Sequence, residues 1–406
     1  MKKLLVFIFL STVSNSYSQF YLKGKVTSTT SEILEGASVY LNNTTIGTTT
    51  NSKGEFELKI KEGNHDLVVS FIGYQTTQIR IDTKRKNVFL NFKLKVDTNV
   101  LNEVVLKKTV YDADWKYNLS RFKKSFLGRT LSAKTCQILN PKVLHFDFDV
   151  KTNTLTAEAN EPLKIKHKGL GYLITYDLVS FSIEGKLLSY LGYTKYNNLK
   201  AGKRKQKHWY KNRLKAFNGS RMHFVRTLRS QKLTKEGFVV NQFKRVPNPN
   251  RPTEKQIRSA RELVKLYGEN LSFSDKTSDP KTSLDSAMVV LRKVGLPKYI
   301  DYLYKKKVPY SDMIFQKNGQ VHLNFKNYLS ITYLKEVEES NYLIGMFGKR
   351  KKASGVQTSA ITLLTKTAIL DSSGAIINPL DVFSEGYWSY EQFADLLPLD
   401  YHPIKD

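Results

Sequence analysis

The stretch GTTTNSKGEFEL, Gly47 to Leu58, passes from a β-prone run into an alternating one through Asn51, Ser52, Lys53 and Gly54. Asn and Gly are residues that tolerate the positive φ of a tight turn. Beyond the turn, Phe56, Leu58 and Ile60 alternate with polar neighbours, which predicts a strand with one apolar face and one wet face. Working outward, Leu67, Val69 and Phe71 repeat the pattern, as do Val88, Leu90, Phe92 and Leu94, and KEGN at Lys61 to Asn64 supplies a second turn. Short half-apolar strands between explicit turns predict a small β-sandwich.

Four pieces in order, GKV at Gly24, LEGASV at Leu34 to Val39, the Gly47 to Leu58 stretch and LVVSFIGYQ at Leu67 to Gln75, resemble the carboxypeptidase-regulatory-like domain, a transthyretin-like β-sandwich. The resemblance implies the accessory sandwich and not the peptidase. A zinc carboxypeptidase needs Glu three residues after a His, and that position holds Val68, Phe148, Leu170, Lys211, Arg226, Phe325 or Lys405. Gly54 is expected to serve a turn, and Gly73 a bulge or a close approach. TNVLNEVVL, Thr98 to Leu106, resembles the segment joining the same domain to the plug of TonB-dependent outer-membrane receptors. Those receptors continue into a large closed barrel. Here the chain turns helical and basic after Tyr111, so the resemblance stops at the front end.

The 406 residues suit two or three domains, and 40% hydrophobic with 25% charged residues is the composition of a folded protein. Lys2 and Lys3, an apolar run from Leu4 to Leu10 and small residues at Ser16 and Ser18 predict a secretory signal peptide cleaved before Gln19. No Cys follows it, so no lipoprotein anchor is expected, and no later apolar run is long enough for a transmembrane helix. The single Cys136 is expected to be a buried, inert thiol. The formal charge of +29 becomes +27 without the two signal lysines. Export removes nucleic acid as the usual partner of such a chain and leaves an anionic envelope surface, a glycan or an acidic protein.

From Val143 to Asn198, LHFDFDV, TLTAEA, LKIKH, YLITYDLVSFSI and LLSYLGYTKY predict an antiparallel meander turning at Gly169, Gly171 and Gly185. In LHFDFDV, Leu144 to Val150, the residues His145, Asp147 and Asp149 share one face and invite a metal reading. The solvated reading prevails, with Phe146, Phe148 and Val150 facing the core, because no further His or Cys stands at ligand spacing. Helices follow. Tyr210, Leu214, Phe217, Phe224 and Leu228 form a predicted inner stripe that also contains Arg221, with a break at Asn218 to Ser220. A second helix has capping-box spacing at Thr253 and Gln256, with Gly268 at its end, and a third begins after Ser283. ENLSFSDKTSDPKTS is expected to connect the last two.

The fold class expected is multidomain, an N-terminal all-β transthyretin-like sandwich followed by an α+β region with an antiparallel β meander and helices. The boundaries are residues 1–18 for the signal peptide, 19–96 for the sandwich, 97–110 for a linker and 111–406 for the basic region, with room for two subdomains.

Residues 200–265 hold 20 Lys and Arg against three Glu, an excess of 17. Such a density repels itself unless an anion stands nearby. The anion-contact residues expected are Lys203, Arg204, Lys205, Lys207, Trp209, Lys211 and Arg213, with a second cluster at Lys349, Arg350, Lys351 and Lys352. Aromatic faces beside cations suit sugar rings carrying acidic groups. Ser120 and Lys123 have Ser-x-x-Lys spacing without the Lys-Thr-Gly element that accompanies it in penicillin-recognising enzymes. Glu391 and Asp395 lie one helical turn apart and read as solvated acids. No catalytic, metal or cofactor residues are assigned. The function expected is a non-catalytic exported protein, periplasmic or outer-membrane-associated, presenting a basic region to an anionic component; a hydrolase or transferase acting on an envelope polymer is the alternative, and an accessory to TonB-dependent uptake the third.

Overall fold

The computed structural model describes residues 20–61, 63–83, 89–97, 110–185, 187–267, 282–344 and 355–404. The signal peptide, most of the 97–110 linker, Gly268 and Lys349 to Lys352 lie outside the described residues. The chain divides into two compact units, one of residues 1–220, 339–351 and 390–406, the other of 221–338 and 352–389.

The first unit opens with strands β1 (Phe20–Ser28), β2 (Ser38–Leu41), β3 (Gly47–Thr49), β4 (Glu55–Ile60), β5 (Asn64–Ser70), β6 (Thr77–Asp82) and β7 (Phe89–Leu94). They form two sheets, β4-β1-β7 and β3-β2-β5-β6, with β1 and β7 parallel and the remaining pairs antiparallel. Leu22, Val26, Phe56, Leu58, Ile60 and Phe92 from one sheet and Val39, Leu41, Leu67 and Val69 from the other make the apolar interior. The predicted alternation holds among the described residues, which exclude Val88, although Val68 is buried as well and Phe71 and Leu90 are only half-buried. Gly54 has φ +73°, and a Cβ there would lie 2.7 Å from the Val26 carbonyl oxygen, so the turn of the opening stretch admits no side chain. Gly73 has positive φ in open space and serves its turn rather than a close approach.

Within the same unit the loop between β2 and β3 enters the next layer. This layer comprises α1 (Ala113–Phe126), β8 (Cys136–Ile138), β9 (Leu144–Asp149), β10 (Thr154–Ala159), β11 (Leu163–His167), β12 (Tyr172–Glu184), β13 (Leu187–Asn198) and α2 (Lys203–Phe217). The meander is antiparallel throughout. β12 is its spine, pairing β11 through its first half, β10 through its end and β13 along the other edge. Phe122 and Phe126 of α1 pack on it, with ring centroids 4.6 Å from Phe181 and 5.0 Å from Tyr176. Thr44 of the sandwich forms a parallel bridge with Lys195 of β13. Asn43 N–H donates to Thr194 O at 2.8 Å, Tyr196 N–H to Thr44 O at 3.0 Å, and Thr194 N–H to Asn42 Oδ1 at 2.9 Å.

The reading of LHFDFDV needs correction. Leu144 is buried and Phe146 half-buried against Trp115 and Phe122, but Phe148 is exposed beneath Arg121, and Val150 is 79% exposed in the turn after β9. The core face fades because α1 covers only the first half of the strand.

The second unit contains α3 (Arg221–Arg229), α4 (Leu233–Glu236), β14 (Phe238–Pro247), α5 (Glu254–Tyr267), α6 (Ser283–Arg292), β15 (Tyr299–Lys305), β16 (Ile314–Lys317), β17 (Gln320–Leu323), β18 (Tyr328–Tyr333), β19 (Gln357–Leu363), β20 (Ala368–Leu370) and β21 (Val382–Gly386). Its sheets are β15-β14-β18-β19-β21 and β16-β17-β20, around Phe224, Leu228, Phe238, Met313, Ile331 and Trp388. Thr253 N–H donates to Gln256 Oε1 and Gln256 N–H to Thr253 Oγ1, the predicted capping box of α5. The box that starts α6 is Thr282 with Asp285, one residue earlier than the predicted Ser283.

Candidate anion-binding surface

α2 begins after Gly202, whose missing side chain caps no N–H, and its first turn holds no acid. Lys203, Arg204 and Lys205 instead crowd the end where the unpaired amides already carry partial positive charge. Lys203, Arg204, Lys205, Lys207 and Lys211 are exposed, and among the described residues none of them forms an ion pair. Lys215, near the far end, is paired with Glu339 at 3.7 Å. Those five cations of α2 therefore stand on one helix without an ion-pair partner among the described residues.

The buried stripe of α2 corrects the prediction. Trp209 (3% exposed), Arg213 (8%) and Phe217 face inward at four-residue intervals, whereas Tyr210 (46%) and Leu214 (41%) face solvent. Two of the expected contact residues, Trp209 and Arg213, thus have largely buried side chains, with Arg213 bordering a cleft. The reason lies in the turn after β11. Trp209 Nε1–H donates to Lys168 O at 2.8 Å, Asn212 Nδ2–H to Gly169 O at 2.8 Å, Arg213 Nε–H to Leu170 O at 2.7 Å and Arg213 Nη2–H to Gly171 O at 3.3 Å. Three side chains of one helix donate to four successive carbonyls, the last of which, Gly171 O, also accepts from Leu199 N–H at 2.9 Å. Gly171, at φ +74°, makes this possible, since a Cβ would lie 2.2 Å from the Trp209 ring. Arg213 also stacks on Tyr172, 4.0 Å from guanidinium carbon to ring centroid. Arg221 is half-buried, in keeping with its place in the stripe, and among the described residues the arginine that is buried outright is Arg213.

Other candidates resolve into local structure. Asp149 accepts from the Thr152 hydroxyl and the Lys151 amide, which hold its carboxyl below the ordinary range. Among the described residues no three His, Cys, Asp or Glu gather as metal ligands. Ser120 is exposed in the middle of α1, with Lys123 half-buried. Cys136 is half-buried, and its thiol is pushed up to about 12 by desolvation and by Asp395.

A polar cluster escaped prediction. His167, 1% exposed, pairs through Nε2 with Ala394 O at 2.8 Å, and its Nδ1 accepts from Leu170 N–H at 3.1 Å. The proton therefore sits on Nε2, and burial lowers the imidazole pKa to about 4. Ser132 Oγ lies 3.3 Å from Nε2 and donates to Ala394 O. A general base for that serine would need an unprotonated Nε2, so this arrangement holds the chain together and does not activate a nucleophile. Asp395 is not the solvated acid expected. It accepts from Thr130 Oγ1 at 3.0 Å, and burial raises its carboxyl well above the ordinary range, with Glu339 adding to the shift. Hydropathy marks neither residue, because the Ala394 carbonyl that meets His167 and the Thr130 hydroxyl that meets Asp395 are distant in the chain.

A two-sheet sandwich with these turns defines the class of the N-terminal segment, and comparison agrees. Residues 22–106 match the CarboxypepD_reg-like domain, so the chain carries that regulatory-type domain in its first quarter. The TonB-dependent receptor SusC of Bacteroides thetaiotaomicron is 41% identical over 99 residues, 24% of this chain and 9% of the receptor. The chain thus spans under a tenth of the length of that relative. Among solved structures, DUF3823 family proteins from Bacteroides ovatus and Parabacteroides merdae are each 11% identical, covering 46% and 44% of this chain and 83% and 81% of their own, with TM-scores of 0.17 and 0.16. A putative membrane-associated protein of unknown function from Bacteroides fragilis is 10% identical, covering 90% of this chain and 93% of its own, at a TM-score of 0.15. TM-scores this low establish no common arrangement. No described helix is long and apolar enough to cross a membrane.

Proposed function

We propose that this is a non-catalytic, exported protein of the cell envelope, in which the sandwich serves as a docking or spacer module and the region after Tyr111 binds an anionic envelope component or an acidic protein. The observation that carries this reading is the set of exposed, unpaired cations at the start of α2, Lys203, Arg204, Lys205, Lys207 and Lys211, held on a helix anchored by Trp209 and Arg213. The envelope setting is supported by the CarboxypepD_reg-like match and by the likeness of that segment to a TonB-dependent receptor. Contacts of this type are long-ranged and screened over about 8 Å at physiological salt. Purified full-length protein is expected to be retained by anionic envelope fractions, to elute steeply as salt rises, and to lose retention in the triple variant Lys203→Glu, Arg204→Glu, Lys205→Glu. Retention indifferent to salt and to that variant removes the reading.

A second reading, an accessory to TonB-dependent uptake, is favoured by the 41% identity to the receptor's segment. It predicts that the protein co-purifies with a receptor from detergent-solubilised envelopes; recovery of the protein alone under conditions that preserve receptor complexes counts against it.

A further inference from the structure

Within the first unit, α2 and the C-terminal segment border a cleft of about 190 Å³, whose lining includes Tyr172, Asn198, Tyr210, Arg213, Asp400 and Tyr401. The space takes several waters or one small ligand.

The donors in this cleft are unevenly used. Arg213 spends Nε–H on Leu170 O and Nη2 on Gly171 O and Asn198 Oδ1. Its Nη1 group, with two further N–H donors, meets no acceptor among the described residues, and Arg213 forms no ion pair there. The guanidinium is nine-tenths buried, its hydrogen-bond acceptors are all neutral, and an anion seated on the open donors lowers the cost of burying it. Asp400 lines the same cleft, but both its oxygens are turned on Thr45, accepting from the backbone N–H and from Oγ1. Carboxylate oxygens have lone pairs to spare and can still accept a hydroxyl. Asn198 contributes its Nδ2 donor. Arg213 lies over both tyrosine rings, 4.0 Å from the Tyr172 centroid and 5.9 Å from that of Tyr210, and Tyr210 at the rim is 46% exposed.

We propose that this cleft binds the carboxylate-bearing ring of an acidic sugar, with the carboxylate on Nη1 of Arg213, the ring against Tyr210 and hydroxyls toward Asp400 and Asn198. The inference rests on the anionic-partner reading above and narrows that partner to an acidic glycan. A phosphate or a lipid headgroup fits less well, because one guanidinium beside Asp400 offers poor neutralisation of a dianion and the tyrosine faces would be idle. Lys203 and Lys207 precede Tyr210 by seven and three residues, on the same side of α2, and would meet the next acidic units of a polymer.

The test is a calorimetric or NMR titration of the full chain with D-glucuronate, beside D-glucose, inorganic phosphate and phosphatidylglycerol vesicles. Glucuronate is expected to bind saturably in the millimolar range, and glucose more weakly by about tenfold or more. Arg213→Gln should abolish the binding. Because that variant also removes carbonyl contacts, Tyr210→Ala decides independently: it lies on the surface, should keep the wild-type circular dichroism, and should weaken glucuronate by about tenfold. The triple charge reversal on Lys203, Arg204 and Lys205 should weaken glucuronate less than Tyr210→Ala does while ending retention on envelope fractions. Absence of saturation by glucuronate, phosphate binding as tightly as glucuronate, affinity for the vesicles alone, or indifference to Tyr210→Ala would each overturn the proposal. Salt-sensitive retention with a silent cleft overturns the cleft alone and leaves the polybasic surface standing.

Discussion

At the scale of single residues, His167 and Gly171 hold the first unit's second layer in shape. His167 ionises near pH 4 when folded and near 6.5 in the open chain, so between these values the unfolded state takes up more protons. Its contribution is complete above pH 6.5 and lost as the pH falls toward 4, amounting to about 3 kcal/mol at most. Asp395, pushed up to about 7, acts in the opposite sense over the same range and by at least as much, so only a comparison with a variant isolates the histidine. In urea titrations the stability lost by His167→Gln is expected to shrink as the pH falls from 7 to 4, whatever the slope of the wild-type profile; parallel profiles would refute the assignment. Gly171→Ala forces a methyl group into the Trp209 indole at a positive φ, and should cost about 2–4 kcal/mol by thermal unfolding. Little of this could be read from the sequence. A histidine satisfied by the Ala394 carbonyl and the Leu170 amide has no periodic signature, and LHFDFDV has one only over the half of β9 that α1 covers.

At the scale of elements, the sandwich strands were legible because each shows one face to a core and one to water, and β4 follows that rule at every residue. α2 was legible as a helix but not in its orientation. Its interior face includes an arginine, so hydropathy selects Tyr210 and Leu214 in place of Trp209 and Arg213, a rotation of one residue. The carbonyls that draw Arg213 inward lie more than forty residues earlier, in a turn whose hydrogen-bonding needs a linear reading does not display. The same helix sets stability against contact. Three cations in the first turn oppose the helix dipole, each by about 0.3–1 kcal/mol. Replacing Lys203, Arg204 and Lys205 with Glu should therefore raise the melting temperature by a few degrees while abolishing retention by anionic fractions. A lower melting temperature would show that these side chains hold the fold rather than meet a partner.

At the scale of the molecule, the fold class follows from the succession of patterns, β-alternation then meander then helices, and the sheets observed agree with it. What no local pattern announces is the seam at Thr44 and Lys195, since pairing between segments 151 residues apart leaves no trace in either one. The seam predicts cooperative behaviour. In native-state hydrogen exchange, the amides of Asn43, Thr194 and Tyr196 should be protected as strongly as those of sandwich strands such as Val39; fast exchange at these three alone would mean that the layers part readily. This feature also bears on how such chains can be recombined. A chimera that transplants a related sandwich onto this body would have to bring Asn42, Thr44 and Thr45 in matching register, because these residues complete hydrogen bonds on a neighbouring strand and on Asp400. The first quarter of the chain is in that sense a keyed part, not an interchangeable cassette.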